Sequence, residues 1–175
     1  MKAVLISIKP KWCELIASGK KTVEVRKTKP KLETPFKVYI YCTKDKKGWF
    51  HFGKKQRLDG MVIGEFLCDE IRDARECFIG PSCLTTEEWL KYTDGYKKPV
   101  WGWHISDLKI YEKPTKLGEF HFPPERYCEK GLCGGCPFDE SPDVNGEYMY
   151  GCDWERPIQT PPQSWCYVEE VSADG

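Results

Sequence analysis

Gly19-Lys20-Lys21-Thr22-Val23-Glu24-Val25-Arg26 gathers two adjacent lysines, a carboxylate and a guanidinium behind a glycine turn. After Thr22 the residues alternate, so Val23 and Val25 are predicted to face one side of a strand and Glu24 and Arg26 the other. Side chains of both signs then point into one space beside Lys21. Such a cluster can hold an anionic or hydrogen-bonding ligand. The residues alone equally allow a Glu24–Arg26 surface ion pair worth less than about 1 kcal/mol.

The elements that must position this cluster can be read from its flanks. Residues 3–8 form a short apolar strand, and Pro10 suits the first turn of a helix, where its missing N–H is no loss. Trp12, Leu15 and Ile16 share a helical face, and Gly19 is placed to end the helix in a left-handed conformation. Strands are then predicted at residues 22–27, from Phe36 to Tyr41, from Met61 to Ile71, from Val100 to Tyr111 and from Trp165 to Val171. Gly64 marks a bulge or bend in the third of these. Thr85 and Glu88 make a capping box that opens a short helix through Trp89 and Leu90. Short strands, few helices and glycine bends predict a mainly β, α+β fold, a small barrel with helices at its rim.

Charge is lopsided along the chain. Residues 1–60 carry 16 Lys/Arg and 5 Asp/Glu, the remainder 11 and 22, for a net charge of zero. Either the first part meets a polyanion, nucleic acid foremost, or the two parts neutralise each other within one fold. Lys44, Lys46, Lys47, Lys54, Lys55 and Arg57 surround Trp49, Phe50, His51 and Phe52 in a basic loop, which is also a candidate surface for a protein partner. The apolar run Ala3-Val4-Leu5-Ile6 is too short for a signal-peptide core, and no stretch approaches a membrane span, so the cytoplasm is the expected location.

Gly19-x-Lys21-x-x-Glu24-x-Arg26 resembles the GxKxxExR signature of ASCH domains, small β-barrels of the PUA-like superfamily. Ser7-Ile8-Lys9-Pro10-Lys11-Trp12, Val38-Tyr39-Ile40-Tyr41-Cys42 and Val62-Ile63-Gly64-Glu65-Phe66 are similar to strands and a helix of that fold in the same order. Trp103-His104-Ile105-Ser106-Asp107-Leu108 and Pro162-Gln163-Ser164-Trp165-Cys166-Tyr167-Val168-Glu169 resemble a phage and Firmicute branch. The resemblance sets an ASCH-like barrel at residues 1–112 plus 162–175 and leaves 113–161 as an insertion. It implies a cleft that binds RNA or a modified nucleotide or nucleoside through Lys21, Glu24 and Arg26, supported by Lys9 and Glu65. Lys21 and Arg26 can take phosphate or base-edge acceptors, and Glu24 can accept from an exocyclic amine. Trp12, Tyr41, Trp49 and Trp103 are candidates for stacking a splayed base.

Some ASCH relatives resemble amidohydrolases of acetylated cytidine, with a lysine at the position of Lys21, a threonine and a glutamate; others are proposed ribonucleases. The resemblance therefore implies, as the alternative, a hydrolase in which Lys21 is nucleophile or base and Glu65 completes an acid–base set. Here Glu24 occupies the threonine position, where a carboxylate pairs with Lys21 and keeps it protonated.

The segment 113–161 is rich in proline, glycine and cysteine. Cys128, Cys133, Cys136 and Cys152 can form a four-cysteine zinc site around a Cys-Gly-Gly-Cys turn, with His121 as a substitute ligand. An iron–sulfur cluster and a set of reduced thiols or a redox pair are the alternatives. A segment so poor in apolar residues needs a staple to fold, which favours the metal. Most of Cys13, Cys42, Cys68, Cys77, Cys83 and Cys166 are expected to be small core residues.

Overall fold

A computed structural model describes residues 1–46, 57–74, 79–95, 97–123 and 157–171. Residues 47–56 of the basic loop, Trp49 among them, and all four proposed zinc ligands lie outside these residues. Eight strands and three helices are present among the described residues: β1 (Lys2–Ile8), α1 (Pro10–Ala17), β2 (Val23–Arg26), β3 (Phe36–Cys42), β4 (Met61–Cys68), β5 (Ile71–Asp73), α2 (Ile79–Ser82), α3 (Thr86–Thr93), β6 (Trp101–His104), β7 (Ser106–Lys116) and β8 (Trp165–Glu169). The mainly β class with rim helices is as expected. The strands form two sheets, β7-β4-β3-β1-β8 and β2-β6-β5, and do not close into one barrel among the described residues.

Two of the expected strands each prove to be two. The run from Met61 leaves the large sheet after Cys68, and Ile71–Asp73 pairs with β6 in the small one. The run through Trp101 changes sheets at Ile105. Both crossings occur at one place, where the His104 backbone N–H donates to the Glu70 carbonyl at 2.9 Å and His104 Nδ1 meets Asp69 Oδ1 at 2.7 Å. Alternating apolar residues show that a segment is a strand but not which sheet it joins.

Strand β1 is parallel to β3 and buried on both faces, which explains its near-continuous apolar sequence. Its even positions, Val4, Ile6 and Ile8, join Val38, Ile40, Phe66, Trp103 and helix residues Cys13 and Ile16 in the main core. Its odd positions, Ala3 and Leu5, join Tyr39, Tyr41 and Val62 on the opposite face, covered by Leu117, Phe120 and Ile158. Strand β7 runs to Lys116, and Leu117, Phe120 and Ile158, from the two ends of the segment 113–161, enter this second core. Gly64 lies between register shifts in β4, and a Cβ there would run into the Lys109 carbonyl of β7, so only glycine permits the strands to approach.

The cysteines Cys13, Cys42 and Cys68 are buried and Cys83 and Cys166 partly so, while Cys77 lies outside the described residues. Burial pushes the Cys68 thiol up to about 12 and the Cys13 thiol well above its ordinary value, as suits inert core residues. No helix among the described residues is long and apolar enough to cross a membrane.

The end of the loop that precedes β4 is anchored by Asp59. Its side chain is fully buried and accepts from Arg57 Nε at 2.7 Å, Arg57 Nη2 at 3.0 Å and the Asp45 backbone N–H at 3.3 Å. These bonds, that to Arg57 foremost, hold its carboxyl below the usual aspartate value. A lowered native value stabilises the fold above the unfolded value of about 3.9, and that contribution disappears as pH falls through the native value. Asp59→Asn should therefore cost about 1–3 kcal/mol at neutral pH. In urea unfolding the gap between wild type and variant should narrow as pH falls below the unfolded value of about 3.9.

Candidate functional site

Helix α1 delivers the motif by the way it ends. Gly19 takes φ +73°, reversing the chain, and the Lys21 N–H donates back to the Leu15 carbonyl at 3.0 Å. Strand β2 then follows with Val23 and Val25 packed against Trp89 and Val100. Glu24 and Arg26 consequently occupy the other face, beside Trp103 and Trp101 in the pairing with β6.

Lys21, Glu24 and Arg26 converge in a buried charge array. Lys21, 3% exposed, donates through Nζ to the Val23 carbonyl at 2.8 Å and the Ser82 carbonyl at 2.7 Å. Glu24 Oε2 lies 3.3 Å from the same ammonium, as a charge contact without hydrogen-bond alignment. Arg26 Nη2 is 3.1 Å from Glu24 Oε1 and donates to the Ser7 carbonyl at 2.7 Å. The carboxylate is thus held between two cations, one on each oxygen. Its side chain is 8% exposed, which rules out the screened surface pair allowed by the sequence.

Above this array is a cavity of about 730 Å³, within the range of small-molecule sites. Lys9, Trp12, Lys21, Glu24 and Arg26 all line it. Three other expected site residues do not. Trp103 is fully buried, edge-on to Phe36 at 6.0 Å and to Trp165 at 5.9 Å, because a large aromatic in a small sheet packing fills the core. Tyr41 belongs to the second core, since odd positions of β3 face away from α1. Glu65 lies opposite Tyr39 on that same far face and accepts from the Tyr111 hydroxyl at 2.6 Å; burial foremost, with this carboxylate, pushes the Tyr111 phenol far up.

Other lining residues were not expected at the site from the sequence. Lys27 directly follows the motif, Glu88, Lys91 and Tyr92 come from α3, and Pro161, Pro162 and Gln163 come from the segment before β8. Glu88, Lys91 and Tyr92 have i, i+3, i+4 spacing, a shared helical face that periodicity reveals once the helix is assigned. Five cations therefore line the cavity against two carboxylates. Trp12 is flanked by Lys21 Nζ at 5.3 Å and Lys11 Nζ at 4.3 Å from its ring centre, and Lys11 also pairs with Glu88 at 3.2 Å, linking α1 to α3. The Tyr92 hydroxyl donates to the Val25 carbonyl at 3.3 Å.

Among the described residues no cluster of three or more His, Cys, Asp or Glu is placed to hold a metal. His121, the substitute zinc ligand, pairs with Pro157 in an isolated bridge.

Sheet order, helix placement and motif geometry together define a class, and comparison with known proteins gives it a name. The family model described as the ASCH domain matches residues 6–106, more than half of the chain, and the protein belongs to that family. It is similar to a protein of Zymomonas mobilis named ASCH domain-containing ribonuclease, with 31% identity over 97 residues, 55% of this chain. The match spans 60% of that relative's length. The crystal structure of ASCH from Zymomonas mobilis superposes with a TM-score of 0.52 at 22% identity, covering 66% of this chain and 73% of that one. A single-residue variant of it gives 0.52 at 23%, covering 67% and 77%. These structures establish likeness of fold.

The buried array makes a stability prediction. Lys21→Met leaves Glu24 half-compensated in a buried site and two carbonyls without their donor, and should cost about 3–5 kcal/mol in urea unfolding. Pairing Lys21→Met with Glu24→Gln removes the stranded charge and should recover part of that loss, an interaction visible as non-additivity.

Proposed function

We propose that the cavity binds RNA, a nucleotide or a modified nucleoside by its phosphate and by stacking. One observation carries this reading: a cavity of ligand size whose floor holds a fixed guanidinium and whose rim adds exposed lysines. Lys21 and Glu24 act as positioning residues that fix Arg26, while Lys9, Lys27 and Lys91 approach the phosphates and Trp12 stacks a base. A site with five cations to two carboxylates attracts an anion at low salt and loses it as counterions compete.

The relative named as a ribonuclease favours a second reading, phosphodiester cleavage in the same cavity. Lys21 does not suit the part of nucleophile or base in it. Its amine donates to two carbonyls and lies 3.3 Å from the Glu24 carboxylate, so it is engaged within the protein and not directed at a ligand. The finer likeness to a phage and Firmicute branch and the docking of a protein on the basic loop remain proposals on the sequence alone.

Binding of a fluorescent single-stranded oligonucleotide should weaken with salt, and Lys9→Glu with Lys91→Glu, both exposed positions, should lower affinity at least about tenfold and flatten the salt slope. Unchanged affinity in that variant would reject the cavity as the site. Turnover of RNA or acetylcytidine by the wild-type protein would replace binding by catalysis. Structural zinc on Cys128, Cys133, Cys136 and Cys152 belongs to the same proposal; elemental analysis should find one zinc per chain, and substoichiometric metal with no visible absorption rejects both zinc and an iron–sulfur cluster.

A further inference from the structure

The face of the small sheet that carries Arg26 does not stop at the cavity. Arg26 is the register partner of Trp101, so their side chains share one face of the sheet. Beyond Arg26 the chain presents lysine at every second position: Lys27, Lys29 and Lys31, all exposed. The first two, and Lys2, lie over aromatic rings. Lys27 Nζ is 5.3 Å from the Tyr92 ring centre, Lys29 Nζ 4.0 Å from that of Trp101, and Lys2 Nζ 5.4 Å from that of Tyr167. The segment is fixed in this position by β8. Trp165 Nε1 donates to Thr28 Oγ1 at 3.0 Å, and the Lys31 N–H donates to the Tyr167 hydroxyl at 2.7 Å. Gln163, two residues before Trp165, lines the cavity, so the segment that leads into β8 connects the cavity with the neighbourhood of Tyr167.

We infer that this strip is a binding track for single-stranded RNA that continues the cavity, with bases stacking on Trp101 and Tyr167 and phosphates meeting Lys27, Lys29 and Lys31. The inference rests on the cavity being an RNA site. Partly exposed rings interleaved with exposed cations supply both requirements of single-strand binding, π-faces and positive charge. In the unbound protein one lysine lies over each of these rings. Stacking of a base is the stronger contact, so a base displaces the ammonium, which is then free to pair with the adjoining phosphate. A duplex cannot use the rings, because its base faces are already stacked. An acidic protein segment can use the lysines but has no need of the rings.

Length dependence separates track from cavity. Affinities of the full chain for a uridine dinucleotide and for an oligouridine of about ten nucleotides are compared, with a duplex of equal length as the third probe. The long strand should bind at least about tenfold more tightly than the dinucleotide and with a steeper salt dependence. Lys29→Glu with Lys31→Glu should remove most of that gain while leaving dinucleotide affinity within about twofold, which also reports intact folding. Trp101→Leu should reduce the gain without changing the salt slope, as loss of stacking and not of charge. The track is overturned if long and short strands bind equally, if the duplex binds as tightly as the single strand, or if the reversals at 29 and 31 leave long-strand affinity unchanged. Dinucleotide binding that is lost in the Lys9→Glu, Lys91→Glu protein shows that the cavity stands even where the track fails. Binding of either strand that is insensitive to those cavity reversals removes the cavity reading and the track with it.

Discussion

One buried carboxylate organises the motif. Glu24 sits between Lys21 and Arg26, and each of those cations also reaches a carbonyl on another element: Ser82 at the end of α2 for Lys21, Ser7 on β1 for Arg26. Three parts of the chain that share no ladder are thereby tied to one point. Such an array adds little net stability, because the cost of removing three charges from water offsets their attraction. What it supplies is a unique geometry, since every displaced alternative leaves a charge buried and unpaired. The spacing of the motif follows from this. Gly19 turns the chain so that Lys21 points back under the helix, and alternation along β2 places Glu24 and Arg26 on the face that Lys21 reaches.

The same arrangement protects an edge. Strand β2 is the last in its sheet among the described residues, and its outward carbonyls are not left open: Lys21 Nζ covers that of Val23 and the Tyr92 hydroxyl that of Val25. An edge strand so covered is a poor template for pairing with another chain. Glu24 and Arg26 are left to face the cavity from a strand and not from a loop, which favours a fixed geometry.

Period-two alternation made β2 legible, and with it the convergence of Glu24 and Arg26; the left-handed glycine and the capping box of α3 were equally local signals. What lay beyond the sequence was always non-local. The change of sheet at Cys68–Ile71 and again at Ile105 depends on the contact of Asp69 and Glu70 with His104, more than thirty residues away. Tyr41 and Trp103 have the right chemistry for a stacking platform but lie in cores, because the face a strand residue occupies is set by its partner strands. Glu65 lies on the face away from the cavity for the same reason. Lys91, Tyr92 and Gln163 complete the cavity from elements that reach it only through the fold, and no spacing to the motif announces them.

The enclosure of Glu24 bears on what this cavity can discriminate. Bases are told apart by donors and acceptors that reach their edges, and a carboxylate can do so only with an oxygen that a ligand can touch. Here Oε1 is bound to Arg26, and Oε2 is buried against the Lys21 ammonium. Reading a base edge with Glu24 would require breaking the array that holds Arg26 in place, a cost of several kcal/mol against the roughly 1–3 kcal/mol that a good base contact returns. The acid of the motif therefore acts on the protein and not on the ligand. If the cavity takes a nucleic acid as proposed, selectivity at its floor reduces to charge and shape, and preference among bases falls to the rim, where Gln163 brings an amide that carries both donor and acceptor.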